Sequence, residues 1–284
     1  MSIRIIPRLD IKGPNLVKGV HLEGLRVLGK PSAFARHYYE EGADELVFMD
    51  VVASLYGRNS LLEIVEQTAN EIFIPLVVGG GLRSISDIRD VLRAGADKVT
   101  LNTAAVRRPE FITEASRQFG SSTIVVSVEA MKRGDHYEAF TDNGRERTGL
   151  DAIEWAVRAA ELGAGELLVT SIEKEGTGRG YDLELTRAIA DRVEVPVVAC
   201  GGAGKPSDVL DVIDAGASAA CLASMLHYEF IKHYRVQASE VAADINLQHL
   251  NQPGFAKVQE TSLAELKEIL AEHGLESRPL VLDA

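Results

Sequence analysis

The sequence has few cysteines and no surplus of basic residues. Only two cysteines occur in 284 residues, Cys200 and Cys221, and both lie in short apolar runs. They lack the CxxC spacing and the nearby histidines of a metal site, so we expect two reduced core residues and no bound metal. Acidic residues outnumber basic ones by 42 to 30. The resulting net charge of −12 argues against a general nucleic-acid-binding surface, which would need a basic stripe.

Long apolar runs are also missing. None reaches the roughly 18 to 20 residues that span a membrane, and the N-terminus has no apolar signal core. We therefore expect a cytoplasmic protein without nucleic-acid or membrane partners. A hydrophobic fraction of 46% is nevertheless enough for a large core, in two domains or in one barrel, and it excludes a disordered chain.

Short apolar segments rich in valine and isoleucine recur along the chain, and amphipathic helical stretches separate them. Apolar strands of this kind, each followed by a helix, are typical of parallel strands covered by helices. Eight such units predict an α/β fold of the (β/α)8 TIM-barrel type. The eight predicted strands are 4–10, 45–50, 75–80, 98–102, 123–129, 166–171, 196–202 and 219–224.

The sequence contains an internal repeat. Residues 74–104 align without a gap with residues 195–225, and Pro75 then corresponds to Pro196. Each copy has a Gly-Gly pair and an Ala-Gly-Ala triplet at matching places. Such a repeat indicates duplicated structural units, so we expect two similar half-barrels. An active site at the top of the barrel would then have two similar halves.

One segment after the last predicted strand breaks this pattern. It begins at Tyr228 and continues to a predicted final helix, 262–274, for which Ser262 is the expected N-cap. We expect a single barrel domain over residues 1–284 with an insertion at about 228–261. Its position after the eighth strand would place it near the catalytic face, as a lid or a subunit contact.

Each half-barrel has a Gly-Gly pair after one strand and small residues after the next. Glycine lets backbone N–H groups approach an anion, and the following helix start adds partial positive charge. The loops after strands seven and eight are the usual phosphate site of such barrels, and the repeat implies a second site opposite. The alternative is that these glycines only form tight turns. The expected phosphate-binding residues are Gly80, Gly81, Asn102 and Thr103 in one half and Gly201, Gly202, Ala223 and Ser224 in the other.

Two phosphate sites on opposite rims imply a long, doubly phosphorylated substrate across the barrel mouth, with the reaction between them. Carboxylates that end strands are candidates for proton transfer there. Asp10, Asp50 and Glu129 end the first, second and fifth predicted strands. A structural role is the alternative for each of them. For Asp50, a structural and a functional role are about equally expected.

Charged residues also begin four of the strands, at the opposite end of the barrel. They can form a ring there, either as an ion-paired plug that stabilises the fold or as a gate to a passage along the barrel axis. These residues are Arg4, Glu45, Lys98 and Glu166, on strands one, two, four and six.

Several segments, in the same order, resemble the cyclase subunits of imidazole glycerol phosphate synthase, a family of histidine-biosynthesis (β/α)8 barrels. The resemblance covers residues 3 to about 230 and resumes in the last helix. The motifs also distinguish the chain from a related isomerase with the same half-barrel repeat. They are LDIKGPNLVKG, GADELVFMD, VVGGGLRSISD, GADKVTLNTAA, LLVTSIEKEGTGRGYD, VVACGGAGKPSD and LASMLHYEF.

The resemblance implies a lyase-type enzyme, without a cofactor, that works with a partner. In that family a glutaminase (glutamine amidotransferase) subunit docks at the bottom of the barrel, as a heterodimer, and releases ammonia into it. The ammonia travels to the top of the barrel and reacts with a bisphosphorylated ribulosyl aminoimidazole carboxamide nucleotide. The products are imidazole glycerol phosphate and aminoimidazole carboxamide ribotide.

The resemblance also implies roles for individual residues. Asp10 matches one catalytic acid/base, and Glu129 stands where the family has the second, an aspartate. Lys18 matches the lysine of a mobile first loop that closes over substrate, and Asp97 matches a docking contact. The ammonia gate of the family corresponds to Arg4, Glu45, Lys98 and Glu166. The further substrate-binding positions are Asp50, Thr170, Glu175 and Gly176.

Three departures from the family pattern concern the substrate. Glu129 is one methylene longer than the usual aspartate, and Met131 takes a position usually held by a lysine. Arg8 replaces a small residue, usually cysteine, below Asp10 on the inward face of the first strand. A buried guanidinium must be paired, and its expected partners are Asp10, Glu129 or the substrate.

Two enzymatic hypotheses therefore stand. The chain is the cyclase subunit of the histidine pathway, or it is an ammonia-dependent paralogue with another acceptor, such as amidino-group formation on a surface-polysaccharide sugar. A third, non-enzymatic hypothesis is a regulatory partner of a glutaminase, and the presence of Asp10 argues against it.

Overall fold

Eight parallel strands close into a barrel in the computed structural model, which describes residues 3–53, 61–237 and 258–278. Every neighbouring pair around the barrel is parallel, and the last strand pairs with the first. The predicted (β/α)8 TIM barrel and its eight strands are confirmed. The barrel strands are β1 (Arg4–Lys12), β4 (Leu46–Asp50), β5 (Leu76–Gly79), β6 (Lys98–Leu101), β7 (Ile124–Arg133), β10 (Glu166–Ser171), β11 (Val197–Cys200) and β12 (Ala219–Leu222).

Helices lie between successive barrel strands and cover the outside of the barrel. Their apolar faces pack on outward-facing strand residues such as Leu9 and Phe48, which are fully buried. Ser262 caps the last helix as predicted, since its hydroxyl accepts a hydrogen bond from the Glu265 N–H at 3.1 Å. In the described residues the helices are α1 (Pro31–Glu40), α2 (Leu62–Ala69), α3 (Ile85–Arg93), α4 (Thr103–Arg107), α5 (Glu110–Phe119), α6 (Ala152–Glu161), α7 (Leu183–Ala190), α8 (Pro206–Asp214), α9 (Ser224–Gln237) and α10 (Leu263–Glu272).

The sequence repeat corresponds to equivalent structural elements. In one copy β5, α3 and β6 follow one another, and in the other β11, α8 and β12 do so. The two helices also begin alike. Asp87 accepts a hydrogen bond from the Ser84 N–H at 2.8 Å, and Asp208 accepts one from the Lys205 N–H at 3.1 Å. The two half-barrels therefore share their local hydrogen bonding as well as their sequence.

The predicted insertion at about 228–261 lies mostly outside the described residues. Its beginning continues helix α9 as far as Gln237, and its last residues lead into α10. Within the described part of the chain, no helix combines the length and the apolar character needed to cross a membrane.

The barrel interior is charged at the bottom, apolar in the middle and polar near the top. Side chains alternate along β1, so that Arg4, Ile6, Arg8 and Asp10 all face inward. Ile6 belongs to an interior cluster of small and branched apolar side chains from several strands. Both cysteines are buried and free, as predicted. An apolar layer thus separates the charged residues at the bottom from those at the top.

Two antiparallel hairpins, which the sequence analysis missed, extend from the top of the barrel. One consists of β2 (Asn15–Val20) and β3 (Glu23–Gly29), and the other of β8 (His136–Thr141) and β9 (Glu146–Asp151). The Asn143 side-chain amide of the second hairpin donates to the Leu22 carbonyl of the first at 3.2 Å. The two hairpins therefore meet above the barrel mouth.

Candidate active site

Arg8 and Asp10 form a buried ion pair at the top of β1. The Arg8 Nε donates to Asp10 Oδ1 at 2.8 Å, and only 2% and 3% of the two residues are exposed. The Arg8 Nη1 also lies 3.4 Å from Thr170 Oγ1 and 3.6 Å from Cys200 Sγ. Burial alone would lower the pKa of Arg8, but the nearby Asp10 carboxylate and other acidic groups raise it well above its usual value. Of the two carboxylates expected as partners of Arg8, Asp10 is the one that accepts a hydrogen bond from it.

Glu129 lies on the top part of β7, and it is almost fully buried. Its Oε2 accepts a hydrogen bond from the Gly144 N–H, in the turn of the second hairpin, at 2.7 Å. Burial raises the pKa of Glu129 to about 7, although Arg8, the Gly144 N–H and Asn102 act in the opposite direction. A carboxyl group with this pKa exchanges protons readily near neutral pH.

A cavity of about 240 Å³ next to Glu129, the first pocket, belongs to the N-terminal half-barrel. All four residues expected for this phosphate site line it: Gly80, Gly81, Asn102 and Thr103. Arg83 and Arg107 line it too, and neither was predicted, because the expected phosphate site was based on glycines and helix starts. Arg83 follows Gly81, and Arg107 follows Thr103, by a few residues. A basic residue shortly after a predicted phosphate-binding position was thus the sequence signal for both.

The second pocket lies in the C-terminal half-barrel and measures about 20 Å³. Its backbone requires glycine, since a Cβ on Gly202 would lie 2.1 Å from the Gly180 carbonyl oxygen. Lys18, on β2, forms a buried ion pair with Glu175 inside this pocket. Burial lowers the pKa of Lys18, but the Glu175 and Asp10 carboxylates together offset this, and the net direction is upward. The sequence-predicted residues that line it are Lys18, Glu175, Gly176, Gly201, Gly202, Ala223 and Ser224.

Three further predicted residues have other surroundings. Asp50 lines the first pocket, but its Oδ1 also accepts hydrogen bonds from the N–H groups of Val52 and Ala53 at 3.1 and 3.0 Å. Thr170 is fully buried beside Arg8 and lines neither pocket. Met131 packs against a small apolar cluster that includes Leu22 of the first hairpin.

A closed ring of ion pairs lies at the bottom of the barrel, and we call it the charged ring. Arg4 donates to Glu45 at 2.8 Å and also pairs with Glu166. Lys98 lies 3.1 Å from Glu45 and 2.9 Å from Glu166. Burial raises the pKa of Glu45, while Lys98 and Arg4 oppose the shift. The four residues predicted from their strand positions are thus brought together.

Asp97 lies on the bottom rim, at the edge of a cavity of about 330 Å³. Its Oδ2 accepts a hydrogen bond from the Leu76 N–H at 2.9 Å. Phe73, which the sequence analysis missed, lines the same cavity with 78% of its surface exposed. An exposed phenylalanine is unfavourable in water, and such residues are common at protein interfaces.

The barrel, its two glycine-lined pockets and the buried carboxylates between them define an enzyme of the (β/α)8 class. The family model described as "Histidine biosynthesis protein" matches residues 4–232. The imidazole glycerol phosphate synthase subunit HisF of Legionella pneumophila is 56% identical over 205 residues, which are 72% of this chain and 97% of that protein. The chain therefore belongs to the family of histidine biosynthesis proteins and, within it, to the HisF subunits of imidazole glycerol phosphate synthase.

Two further relatives agree with this. HisF of Alkaliphilus metalliredigens is 46% identical over 246 residues, which cover 86% of this chain and 98% of that protein. HisF of Thermosynechococcus vestitus is 51% identical over 235 residues, which cover 80% of this chain and 84% of that protein. The family resemblance expected from the motifs is confirmed.

Proposed function

We propose that this chain is the cyclase subunit of glutamine-dependent imidazole glycerol phosphate synthase. It uses ammonia from a partner glutaminase to convert the bisphosphorylated ribulosyl nucleotide into imidazole glycerol phosphate and aminoimidazole carboxamide ribotide. The observation that carries the proposal is the position of two buried carboxylates at the barrel top. Glu129 lines the first glycine-lined pocket, and Asp10 lies near enough to Lys18 of the second to raise its pKa. Each relative named above is a HisF subunit, which favours this reaction over the surface-polysaccharide alternative.

The two pockets suit the two phosphate groups of this substrate. In the first pocket Gly80 and Gly81 offer backbone N–H groups, and Arg107 adds a positive charge. In the second pocket Gly201 and Gly202 offer backbone N–H groups in the same way, and Lys18 supplies the positive charge. Lys18 exchanges its ion pair with Glu175 for the phosphate when substrate binds.

Asp10 and Glu129 carry the proton transfers. Ring closure with ammonia requires that nitrogen loses protons and that the departing oxygen gains them, which is work for an acid and a base. Glu129, whose pKa is about 7, is protonated in about half of the molecules at neutral pH and is the proton donor. Asp10, held by Arg8, is the acceptor. The carboxylate of Glu129, one methylene longer than the family's aspartate, is held by the hydrogen bond from the Gly144 N–H.

The charged ring and the bottom rim serve ammonia delivery. The ring closes the lower end of the barrel interior, so ammonia from the partner passes it before reaching the apolar layer above. Asp97 and Phe73 lie beside this end and form part of the docking surface for the glutaminase. The cytoplasmic location expected from the sequence stays a prediction.

The test uses the purified chain with an ammonium salt and the ribulosyl nucleotide, and it follows the loss of the nucleotide's absorbance. Turnover that Asp10→Asn lowers by about a hundredfold or more supports the proposal. If the wild-type chain shows no turnover above the uncatalysed background while its circular dichroism shows a folded barrel, the proposal is wrong.

A further inference from the structure

Arg8 has a hydrogen-bonding group without a partner. Its Nη2 is buried, and within the described residues it donates to no protein atom. The other two nitrogens have contacts, with Asp10 on one side and with Thr170 and Cys200 on the other. A buried donor that stays unpaired is destabilising, and more so when it belongs to a charged group. The guanidinium therefore has two nitrogens matched by protein groups and a third, Nη2, whose donors no protein acceptor matches.

A purely structural role does not account for this arrangement. A buried ion pair is weak evidence for stability, because the loss of hydration can exceed the attraction between the charges. A structural clasp would in addition satisfy all five N–H donors, and Arg8 leaves its Nη2 donors unused. An arginine at this place is better explained if something that arrives later accepts those hydrogen bonds.

The position of Arg8 indicates what that acceptor is. Its guanidinium lies beside Asp10 and Thr170, and its charge is felt at Glu129 in the first pocket and at Lys18 in the second. In the proposed function, the two phosphates of the substrate occupy the pockets on either side. Between them lies the sugar chain, whose hydroxyl and carbonyl oxygens accept hydrogen bonds. Nη2 can only donate hydrogen bonds, so an oxygen of the substrate's sugar chain is a chemically suitable partner for it.

The titratable and charged groups around Arg8 come from several strands and loops. They are Asp10 on β1, Lys18 on β2, Glu129 on β7, Glu175 after β10, Cys200 on β11 and Cys221 on β12.

We propose that Arg8 is a positioning and substrate-recognising residue: Nε fixes the carboxylate of Asp10, and Nη2 donates to an oxygen of the sugar chain between the two phosphates. This inference rests on the proposed function. A guanidinium is suited to the double task because it is planar and offers donors in fixed directions, whereas a lysine ammonium is a single point charge. Arg8→Lys is therefore not conservative at this site.

The experiment measures kcat and KM with saturating ammonium salt, so that no partner is needed. Wild type is compared with Arg8→Met, Arg8→Lys, Asp10→Asn and the double variant Arg8→Met/Asp10→Asn. Arg36→Met is the control, since Arg36 is an exposed arginine on the outer helix α1, paired with Glu40. Circular dichroism and thermal unfolding show which variants are folded.

The expected result separates the two tasks of Arg8. Arg8→Met lowers kcat by about a hundredfold, the scale of a lost acid–base group, and raises KM by about tenfold. In the Asp10→Asn background, Arg8→Met no longer lowers kcat but still raises KM, because the first effect acts through Asp10 and the second does not. Arg8→Lys lowers kcat by at least about tenfold, because a lysine ammonium lacks the fixed donor directions of the guanidinium. The control variant matches wild type.

Three results would overturn the inference. If Arg8→Met has wild-type kcat and KM, Arg8 neither positions Asp10 nor binds substrate, although the proposed function stands. If Arg8→Met does not fold, the same result for Arg8→Lys leads to the same conclusion. If Arg8→Met lowers kcat equally with and without Asp10, it does not act through that carboxylate. If the wild-type chain itself has no turnover, the proposed function fails and the inference fails with it.

Discussion

Lys98 and Glu45 close the bottom of the barrel, with the Lys98 ammonium 3.1 and 3.2 Å from the two carboxylate oxygens of Glu45. Lys98 has a second acidic partner in the ring, Glu166, at 2.9 Å. The ring is thus a continuous set of paired charges, and a neutral molecule that enters the barrel from below must pass it.

Removal of Lys98 tests whether this ring delivers ammonia. Lys98→Ala leaves Glu45 and Glu166 with Arg4 as their remaining cationic partner in the ring, which disturbs the ring geometry but none of the residues at the top. We expect glutamine-driven turnover with the partner to fall by about tenfold or more, while turnover with ammonium salt stays within about twofold of wild type. Steady-state kinetics with each nitrogen source measure this. Arg93→Ala, at an exposed position on α3, is the matched control, and equal losses with both nitrogen sources would count against a gate.

Replacement of Phe73 tests the docking surface. Phe73→Ala removes a largely exposed aromatic side chain beside Asp97, so we expect the affinity for the glutaminase to fall by about tenfold, the scale of an interface hot spot. Isothermal titration calorimetry measures the affinity, and ammonium-driven turnover should be unchanged. Leu183→Ala serves as control, because Leu183 is also exposed but begins α7 at the top end of the barrel. An unaltered affinity for Phe73→Ala would place the docking surface elsewhere.

The pKa of Glu129 predicts a pH-dependent stability. Burial raises this pKa from 4.5 to about 7, so the folded protein binds the proton more strongly than the unfolded chain does. The unfolding free energy therefore decreases as pH rises through this window, because the folded state must give up a proton it holds tightly. Glu129→Gln removes the effect. Relative to wild type, the variant should gain on the order of 3 kcal/mol between about pH 4.5 and pH 7.5.

Urea unfolding at several pH values measures this gain. Glu268→Gln, an exposed residue on α10, should show no such trend relative to wild type. A difference between Glu129→Gln and wild type that stays constant with pH would mean that Glu129 titrates as an ordinary exposed carboxyl group does.

Arg107 tests the first pocket. It lines the pocket with Gly80 and Gly81, and its Nη2 lies 3.1 Å from Asp142 Oδ2. Arg107→Ala should raise KM for the nucleotide by about tenfold and change kcat little, because the contact to a phosphate is the same in the ground state and in the transition state. Arg117→Ala, on the exposed side of α5, is the control. A fall in kcat without a change in KM would contradict a binding role.

The barrel strands were predictable because strands buried on both faces are continuously apolar. The two hairpins were not predicted, because their strands carry many polar residues; β3, for example, is exposed over most of its length. The second hairpin did have a turn signal in the sequence. The Asp-Asn-Gly stretch at 142–144 lies between β8 and β9, and all three residues have positive φ angles.

The residues of the site were predictable to the extent that they follow from strand ends and from the repeat. The charged ring and both glycine pairs could be found in this way, since each residue's height in the barrel depends only on its place in its own strand. The partner of Arg8 could not be predicted from the sequence, because its long side chain could reach Asp10, Glu129 or a substrate. That choice depends on the packing of several strands around the barrel.

The most direct test of the central claim is the fate of the nitrogen atom. The wild-type chain, without a partner, is supplied with the ribulosyl nucleotide and ¹⁵N-ammonium chloride, and the products are analysed by mass spectrometry and NMR. The proposed reaction predicts one ¹⁵N atom in the imidazole ring of imidazole glycerol phosphate and none in the carboxamide ribotide, with the labelled product formed about a hundredfold or more slowly by Asp10→Asn. A folded wild-type chain that leaves the nucleotide unconverted, or incorporates no ¹⁵N into the ring, would contradict it.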